Sequence, residues 1–183
     1  GGEPALRPRR LAHLLQALRR VPHVGPIRVA CRSLVAAPEL VSDELAGLLA
    51  RHHDPAGLRP LEVASHINHP DELDDAAHAA LQRLQRRGLH VYNQAVLLRG
   101  VNDGPDALLE LSWQLRRRGV ESYALFFPEP VRGAAHLRPR LSRALELKAR
   151  LRRGASGRGN PRLIVTTRIG KLEPGVDSVV AAR

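Results

Sequence analysis

Short runs of β-branched and other apolar residues alternate along this chain with longer segments in which leucine recurs at helical spacing. Leu11, Leu14, Leu15 and Leu18 fall on one stripe of a helix predicted over residues 9–20. The strand-like runs lie at residues 27–31, 61–65, 89–98, 120–127 and 163–167. The pattern therefore predicts a chain in which helices and strands alternate.

The polar residues between these runs indicate where helices begin and end. Ser42, followed by Asp43 and Glu44, is the predicted N-cap of the helix after the first strand, because its hydroxyl can accept a hydrogen bond from a first-turn N–H. The later helices are predicted from Pro70 to a stop at Gly88, from residues 103–105 to a stop at Gly119, and around residues 141–153. A strand–helix–strand spacing of about 30 residues is typical of parallel βα units.

The number of βα units indicates the class of fold. They are fewer than the eight of a closed barrel, which needs about 250 residues. We therefore predict an α/β fold, a partial, open parallel β/α barrel. No linker interrupts the 183 residues, which predicts a single domain with barrel units over residues 1–138 and a C-terminal extension over residues 139–183.

The formal net charge of +11 raises the alternative of nucleic-acid binding, because basic surfaces bind phosphate groups. Only 3% of the residues are aromatic, which leaves few side chains to stack on bases, and the arginines are scattered over predicted helix ends and faces. We therefore rank nucleic-acid binding last among the alternatives. No apolar run approaches the roughly 20 residues of a membrane span, so no membrane partner is expected.

The single cysteine, Cys31, excludes a disulfide within the chain and any site with several cysteine ligands, so no metal ligands are predicted here. This is compatible with the cytoplasm, where we expect the protein. The chain begins Gly1-Gly2-Glu3 and contains no methionine. We expect it to be the N-terminally truncated part of a longer protein.

Polar side chains concentrate at the predicted C-terminal ends of the strands, where β/α barrels carry their functional residues. The candidates, in chain order, are Arg32, His66, Asn68, Gln94, Glu129, His136, Arg138 and Lys171. The pattern predicts that these side chains surround one site.

Three motifs in this order carry a resemblance to a known family. They are Gly1-Gly2-Glu3-Pro4, the sequence His-Ile-Asn-His-Pro at residues 66–70, and Asn-Gln-Ala-Val-Leu-Leu-Arg-Gly-Val-Asn-Asp at residues 93–103. In order and spacing the chain resembles the radical-SAM lysine 2,3-aminomutase family. The resemblance implies a partial barrel of the radical-SAM type in which a [4Fe–4S] cluster cleaves S-adenosylmethionine to a 5′-deoxyadenosyl radical, and pyridoxal 5′-phosphate carries the migrating amino group.

The resemblance also implies roles for individual residues. Gly1, Gly2 and Glu3 would hold S-adenosylmethionine, with Glu3 accepting from its ammonium group. Arg32 would hold a carboxylate or phosphate, the alternative being a surface cation. The implied cofactor contacts further along are His66, Asn68 and Gln94, and the implied substrate contacts are Glu129, His136 and Arg138. Residues 99–103, and the loop of His136 and Arg138, have a structural brace as their alternative role.

Lys171 is the predicted catalytic lysine that binds pyridoxal phosphate. Only Lys148 and Lys171 among the 29 basic residues are lysines, and a lysine, unlike an arginine, forms an imine with an aldehyde. Two departures from the family stand near Lys171: Thr166 takes the position of a substrate-reading aspartate, and the glycine stretch shrinks to Gly170. Substrate identity is therefore open.

Three function hypotheses follow. The first is a fragment of a radical-SAM 2,3-aminomutase that moves an amino group in a free amino acid, or in a protein lysine, and that is inactive without the family's upstream three-cysteine loop. The second is a degenerate, non-catalytic cofactor-binding barrel. The third is a basic nucleic-acid-binding protein. Self-association into a homo-oligomer stays open in each case.

Overall fold

The computed structural model describes residues 2–168 and 170–174. The strands are β1 (Ile27–Cys31), β2 (Leu61–Ser65), β3 (His90–Val96), β4 (Glu121–Phe127), β5 (Arg162–Thr167) and β6 (Gly170–Leu172). The helices are α1 (Pro8–Arg19), α2 (Ser33–Ala36), α3 (Asp43–Ala50), α4 (Asp75–Gln85), α5 (Pro105–Arg117) and α6 (Leu141–Gly154). Short 3₁₀ helices lie between them, among them Pro4–Leu6 and Pro70–Glu72.

The strands form a six-stranded sheet in the order β1-β2-β3-β4-β5-β6. β1 pairs with β2 in parallel, with Ile27 opposite Leu61, and β4 pairs with β5 in parallel. β5 and β6 run antiparallel. Parallel neighbours joined through helices are the arrangement that the spacing of the strands predicts, and the predicted α/β class is confirmed.

The chain divides into two compact units. Unit 1 comprises residues Gly1–Ile67 and Asp71–Tyr92, and unit 2 comprises residues Asn68–Pro70 and Asn93–Arg183. The predicted single-domain organisation, with an extension after residue 138, stays a prediction.

In unit 1 the core lies between β1 and β2 and the helices α1, α3 and α4. Alternate residues of β1 are buried, beginning with Ile27, as a strand covered on one face requires. Ser42 caps α3 as predicted, since its hydroxyl accepts from the N–H of Leu45 at 3.2 Å. Within the predicted leucine stripe of α1, Leu11 and Leu15 are buried, whereas Leu14 at its edge is 55% exposed.

In unit 2 the leucines at helical spacing on α5 and α6 are buried, so these helices pack against the core through one face. They are Leu108, Leu111, Leu115, Leu147 and Leu151. The hydroxyl of Ser112 on α5 donates to the carbonyl of Gly159, which fastens the loop after α6.

Two predicted boundaries are wrong, each because a side chain replaces a backbone partner. The helix expected from Pro70 begins at Asp75, because Asp74 caps it by accepting from the N–H of Ala77 at 2.7 Å. The strand expected to reach Leu98 ends at Val96, and the N–H of Leu98 donates to Oδ1 of Asn102 at 2.7 Å.

Candidate functional site

The N-terminal motif lies against the end of β1. Oε2 of Glu3 accepts a hydrogen bond from the backbone N–H of Arg32 at 2.8 Å. Oε1 of the same carboxylate is buried and accepts no hydrogen bond from any described residue. Gly2 has a φ of 140°, which side chains disfavour, so the motif needs glycine there for its backbone. Gly1, also predicted to bind the cofactor, lies outside the described residues.

The guanidinium of Arg32 is held by two further segments of unit 1. Nη1 donates to the carbonyl of His66, directly after β2, and Nη2 forms an ion pair with Glu72 in the 3₁₀ helix Pro70–Glu72. The Arg32 side chain is 37% exposed and that of Glu72 is 23% exposed. Arg32 is therefore an anchored, half-buried cation, and its predicted contact with a carboxylate or phosphate stays a prediction.

Cys31 ends β1 beside this cluster. Burial, together with the neighbouring carboxylate of Glu3, raises the pKa of its thiol to about 12. The thiol therefore stays protonated at neutral pH.

In unit 2, Asn68 and Asn102 brace the end of β3. Oδ1 of Asn68 accepts from the N–H of Val96 at 2.8 Å. Nδ2 of Asn102 donates to the carbonyls of Asn68 and Val96 at 2.8 and 2.9 Å, while its Oδ1 accepts from Leu98. Asn68 is thus a buried structural amide, and its predicted contact with a cofactor stays a prediction.

Gln94 and Glu129 carry polar side-chain groups that are less engaged with the rest of the described chain than those of Asn68. Gln94 is half-buried within β3, and its side chain makes no hydrogen bond with any residue in the described part of the chain. Glu129 is exposed after β4 and forms no ion pair with a described residue. Both side chains are able to accept a hydrogen bond, and Gln94 is also able to donate one.

The loop of His136 and Arg138 is tied to neighbouring backbone, and the predicted substrate contacts of both residues stay predictions. Arg99 donates from its backbone N–H to the carbonyl of Leu137 at 2.7 Å and from Nε to the carbonyl of His136 at 2.7 Å. Arg138 donates to the carbonyl of Pro128 at 3.1 Å, and its guanidinium lies 4.9 Å from the ring centre of Phe127. The imidazole of His136 remains exposed.

Lys171 was predicted to follow the last strand, but it lies within β6. The chain pairs back on β5, aided by Gly170 with a φ of 128° and by the Thr167 hydroxyl, which donates to the Gly170 carbonyl at 2.8 Å. Thr166 stands directly opposite Lys171. The exposed Nζ of Lys171 lies 5.3 Å from the ring centre of Phe126, on the face that these residues share by strand register.

Lys148 is half-buried within α6. Its Nζ donates to Oδ1 of Asn160 at 2.6 Å and to the carbonyl of Pro161. Burial lowers its pKa, an effect that Glu173 opposes and Arg152 adds to. Through these hydrogen bonds Lys148 holds the segment directly before β5.

Within unit 1 the structure brings together Glu3, Arg32 and His66, while the common site predicted for residues of both units stays a prediction. Sequence reasoning missed Glu72, although parallel pairing of β1 and β2 brings the loops after them to one edge of the sheet. No group of three or more His, Cys, Asp or Glu side chains among the described residues is arranged to hold a metal ion. In the same part of the chain, no helix has the length and apolar character for crossing a membrane.

Comparisons with known proteins identify the relatives of this chain, although no family model matches it. It is 39% identical over 173 residues to a protein of Aquifex aeolicus provisionally named L-lysine 2,3-aminomutase, covering 93% of this chain and 45% of the relative. It is 32% identical over 155 residues to the glutamate 2,3-aminomutase of Clostridioides difficile, covering 85% of this chain and 35% of the relative. The L-lysine 2,3-aminomutase of Haemophilus influenzae is 36% identical over 137 residues, covering 74% of this chain and 39% of that protein.

A solved structure supports the fold. A radical SAM methyltransferase from Sphaerobacter thermophilus superposes with a TM-score of 0.54 at 20% identity, over 78% of this chain and 41% of that protein. At this identity the likeness concerns the fold alone, and it confirms the predicted partial-barrel class. The chain spans less than half the length of the curated relatives it matches. The resemblance predicted from the motifs is confirmed, because the chain is homologous to a portion of the lysine 2,3-aminomutases and has the fold of a radical SAM enzyme.

Proposed function

We propose that this chain is the part of a radical SAM 2,3-aminomutase that binds S-adenosylmethionine and substrate, and that it acts within a longer protein. The proposed reaction moves an amino group between neighbouring carbons of an amino acid. The observation that carries the proposal is the carboxylate of Glu3, with one oxygen fixed by Arg32 and the other buried without a hydrogen bond from any described residue. A buried acceptor held in this way suits an ammonium group.

S-adenosylmethionine presents that ammonium group, and when bound it supplies the radical that begins the reaction. Glu3 would accept from the ammonium through Oε1, while Gly2 keeps the backbone turn that allows the approach. Because Oε2 is already held in place, the Glu3 side chain loses less conformational entropy when the ligand binds. The residues present therefore fit the proposed ligand.

We propose that Arg32 meets a carboxylate or phosphate of the cofactor. The proposed contact of Gln94, through its neutral amide, is also with the cofactor. For the substrate, the proposed contact is Glu129. The exposed Glu129 would recognise a cationic group. Thr166 carries no charge opposite Lys171, which supports a substrate site with one carboxylate fewer than in lysine-specific relatives. We therefore propose a free amino acid as substrate and leave its side chain to experiment.

Lys171 is the proposed attachment point for pyridoxal phosphate, which supplies an aldehyde that holds the migrating nitrogen. Its amine is exposed, and the described contact of Nζ is with the face of Phe126. Lys148, by contrast, donates to Asn160 and Pro161. This difference supports Lys171 over Lys148.

The residues of this chain do not fit a [4Fe–4S] cluster, because a cluster bound by three cysteines cannot form on the one cysteine present. We propose that the cluster ligands belong to another segment of the longer protein. A groove of about 450 Å³ beside Glu3, lined by Leu6 and Leu14, which are 64% and 55% exposed, supports a covering segment there.

The proposal is tested with the full-length protein after anaerobic cluster reconstitution. A panel of amino acids, including lysine and glutamate, is incubated with S-adenosylmethionine, and 2,3-amino migration is read by mass spectrometry. We expect one amino acid to be converted by the wild type and none by Glu3→Gln or Lys171→Ala. Cofactor binding without conversion of any amino acid would favour the non-catalytic barrel instead.

Two measurements check the cofactor assignments separately. Borohydride reduction of the protein loaded with pyridoxal phosphate, followed by peptide mapping, is expected to label Lys171, and a label on Lys148 would contradict the assignment. Iron analysis of residues 1–183 after reconstitution is expected to find no stoichiometric cluster. A full cluster on this chain would overturn the proposed division of labour.

A further inference from the structure

In unit 1 the guanidinium of the candidate residue Arg32 is anchored by residues of other chain segments. Its backbone N–H binds Glu3, its Nη1 binds the carbonyl of His66, and its Nη2 binds Glu72. These partners come from the N-terminal motif, from the end of β2 and from the 3₁₀ helix Pro70–Glu72. The direction of the guanidinium is thus set by Glu72 and His66 together.

A guanidinium has five N–H donors in a planar fork. The described contacts of Nη1 and Nη2 go to His66 and Glu72, so the remaining donors are directed away from these partners. Arg32 is 37% exposed and Glu72 is 23% exposed, so Glu72 is the more buried partner and part of the Arg32 side chain is open to solvent. The exposed side of the fork is the side that a ligand reaches.

A long arginine side chain loses considerable rotamer freedom when it is fixed, and this cost weakens binding if the ligand has to fix it. Here Glu72 and the His66 carbonyl have already fixed the plane of the Arg32 guanidinium. A carboxylate that arrives at the exposed edge then forms its hydrogen bonds at a smaller entropic cost. The anchored pair therefore prepares Arg32 for an anionic ligand.

We propose that Glu72 is a positioning residue that holds Arg32 for the carboxylate of a bound ligand. This inference rests on the proposed function, in which Arg32 meets an anionic group. The alternative is that Glu72 competes with the ligand for Arg32. The carbonyl of His66 belongs to the backbone and Glu72 is the more buried partner, and both features favour positioning over competition.

The test uses the 183-residue chain with ¹⁵N-labelled arginine, with Arg32→Lys to assign the Arg32 guanidinium signal and acetate as the carboxylate probe. In the wild type, restricted rotation of the anchored guanidinium is expected to resolve its Hη signals, and acetate is expected to shift them. In Glu72→Ala the Hη signals are expected to merge, and acetate binding to weaken about tenfold, as one charge-assisted hydrogen bond corresponds to about that factor. Glu72→Asp is expected to restore most of both properties.

Glu44→Gln is the matched control, because Glu44 is an exposed carboxylate of unit 1 that forms no ion pair with any described residue. It is expected to leave the Arg32 signals and acetate binding unchanged. Circular dichroism of each variant checks folding, and Glu72→Asp keeps the test decisive if Glu72→Ala does not fold. Acetate binding that is unchanged or tighter in Glu72→Ala overturns the positioning role, and tighter binding identifies Glu72 as a competitor.

The failure of the proposed function gives a different result. If acetate and inorganic phosphate leave the Arg32 signals of the wild type unchanged, Arg32 does not bind anions, and the positioning proposal falls with it. Resolved Hη signals in that case would identify the ion pair as purely structural. Weakened binding in Glu72→Ala with recovery in Glu72→Asp supports the proposal independently of any conversion assay.

Discussion

In unit 1 a long arginine donates to the carbonyls of several loops, whereas in unit 2 a short, buried asparagine bonds to its own loop and to the carbonyl of Asn68. Arg19 donates to the carbonyls of Gly25, His52 and Arg59, at distances of 2.6, 3.0 and 2.7 Å. Asn102 is fully buried and bonds to three backbone groups at the end of β3. The arginine side chain is longer and remains partly in contact with water. Each of its hydrogen bonds therefore contributes less to stability than a hydrogen bond of a fully buried group.

The candidate site residues differ between the units in the same way. Glu3 and Arg32 of unit 1 are held by hydrogen bonds to other segments. Glu129 and Lys171 of unit 2 are exposed, and Lys171 is in contact with an aromatic face. Glu3 and Arg32 are therefore fixed in place before any ligand binds, whereas the side chains of Glu129 and Lys171 are not held by hydrogen bonds of this kind to any described residue.

The order of unit 1 around Glu3 predicts a very unreactive Cys31. With a pKa of about 12, its thiolate fraction near pH 8 is at least about 1000-fold below that of an ordinary exposed cysteine. We expect iodoacetamide to label Cys31 slower than the unfolded chain by at least this factor. Rapid labelling of the folded protein would show that the end of β1 opens readily, and would remove the contrast between the units.

The asparagine brace predicts the largest loss of stability. Asn102→Ala leaves two carbonyls and one N–H buried without their partner, and we expect a loss of about 3 kcal/mol in the free energy of unfolding. Urea unfolding monitored by circular dichroism measures it, with Gln16→Ala on the exposed face of α1 as the control. A loss no larger than that of the control would contradict the structural role of Asn102.

The arginine brace predicts a smaller loss. Arg19→Ala removes the guanidinium from four backbone carbonyls, those of Gly25, His52, Arg59 and Pro60, which water is able partly to rehydrate, and we expect a loss of about 2 kcal/mol in the free energy of unfolding. Arg20→Ala, at the neighbouring exposed position, is the matched control and is expected to change stability by less than about 0.5 kcal/mol. Arg19→Ala costing more than Asn102→Ala would reverse the comparison.

The smallest expected effect is a pH dependence at His52. Burial, with Arg19 and Arg51 nearby, lowers the pKa of its imidazole in the folded state. The unfolded chain then binds the proton more readily, so stability present above the unperturbed value of about 6.5 is lost as the pH falls through the folded pKa. We expect the wild type to lose more stability than His52→Gln between about pH 8 and pH 5. Parallel urea midpoints for the two proteins would exclude this titration.

Much of the secondary structure follows from local pattern. The predicted bounds of β1 and β2 coincide with the observed strands, because each is a short apolar run with clear polar flanks. The start of α4 was missed because Asp74 competed with Pro70 as the signal for a helix start, and a side-chain hydrogen bond decided between them. The antiparallel β6 was missed because three exposed residues give no hydrophobic period.

The amino-acid sequence by itself determined the alternation of elements, the cap at Ser42 and the resemblance carried by three motifs, because these depend on residues close together in the chain. Only the tertiary structure decided that Glu72 binds Arg32, which lies 40 residues away in sequence. It alone decided that Asn102 braces Asn68 and that Lys148 is half-buried while Lys171 is exposed. The physical reason is that a hydrogen bond between distant segments depends on how the sheet aligns the ends of its strands, and no local residue pattern records that alignment.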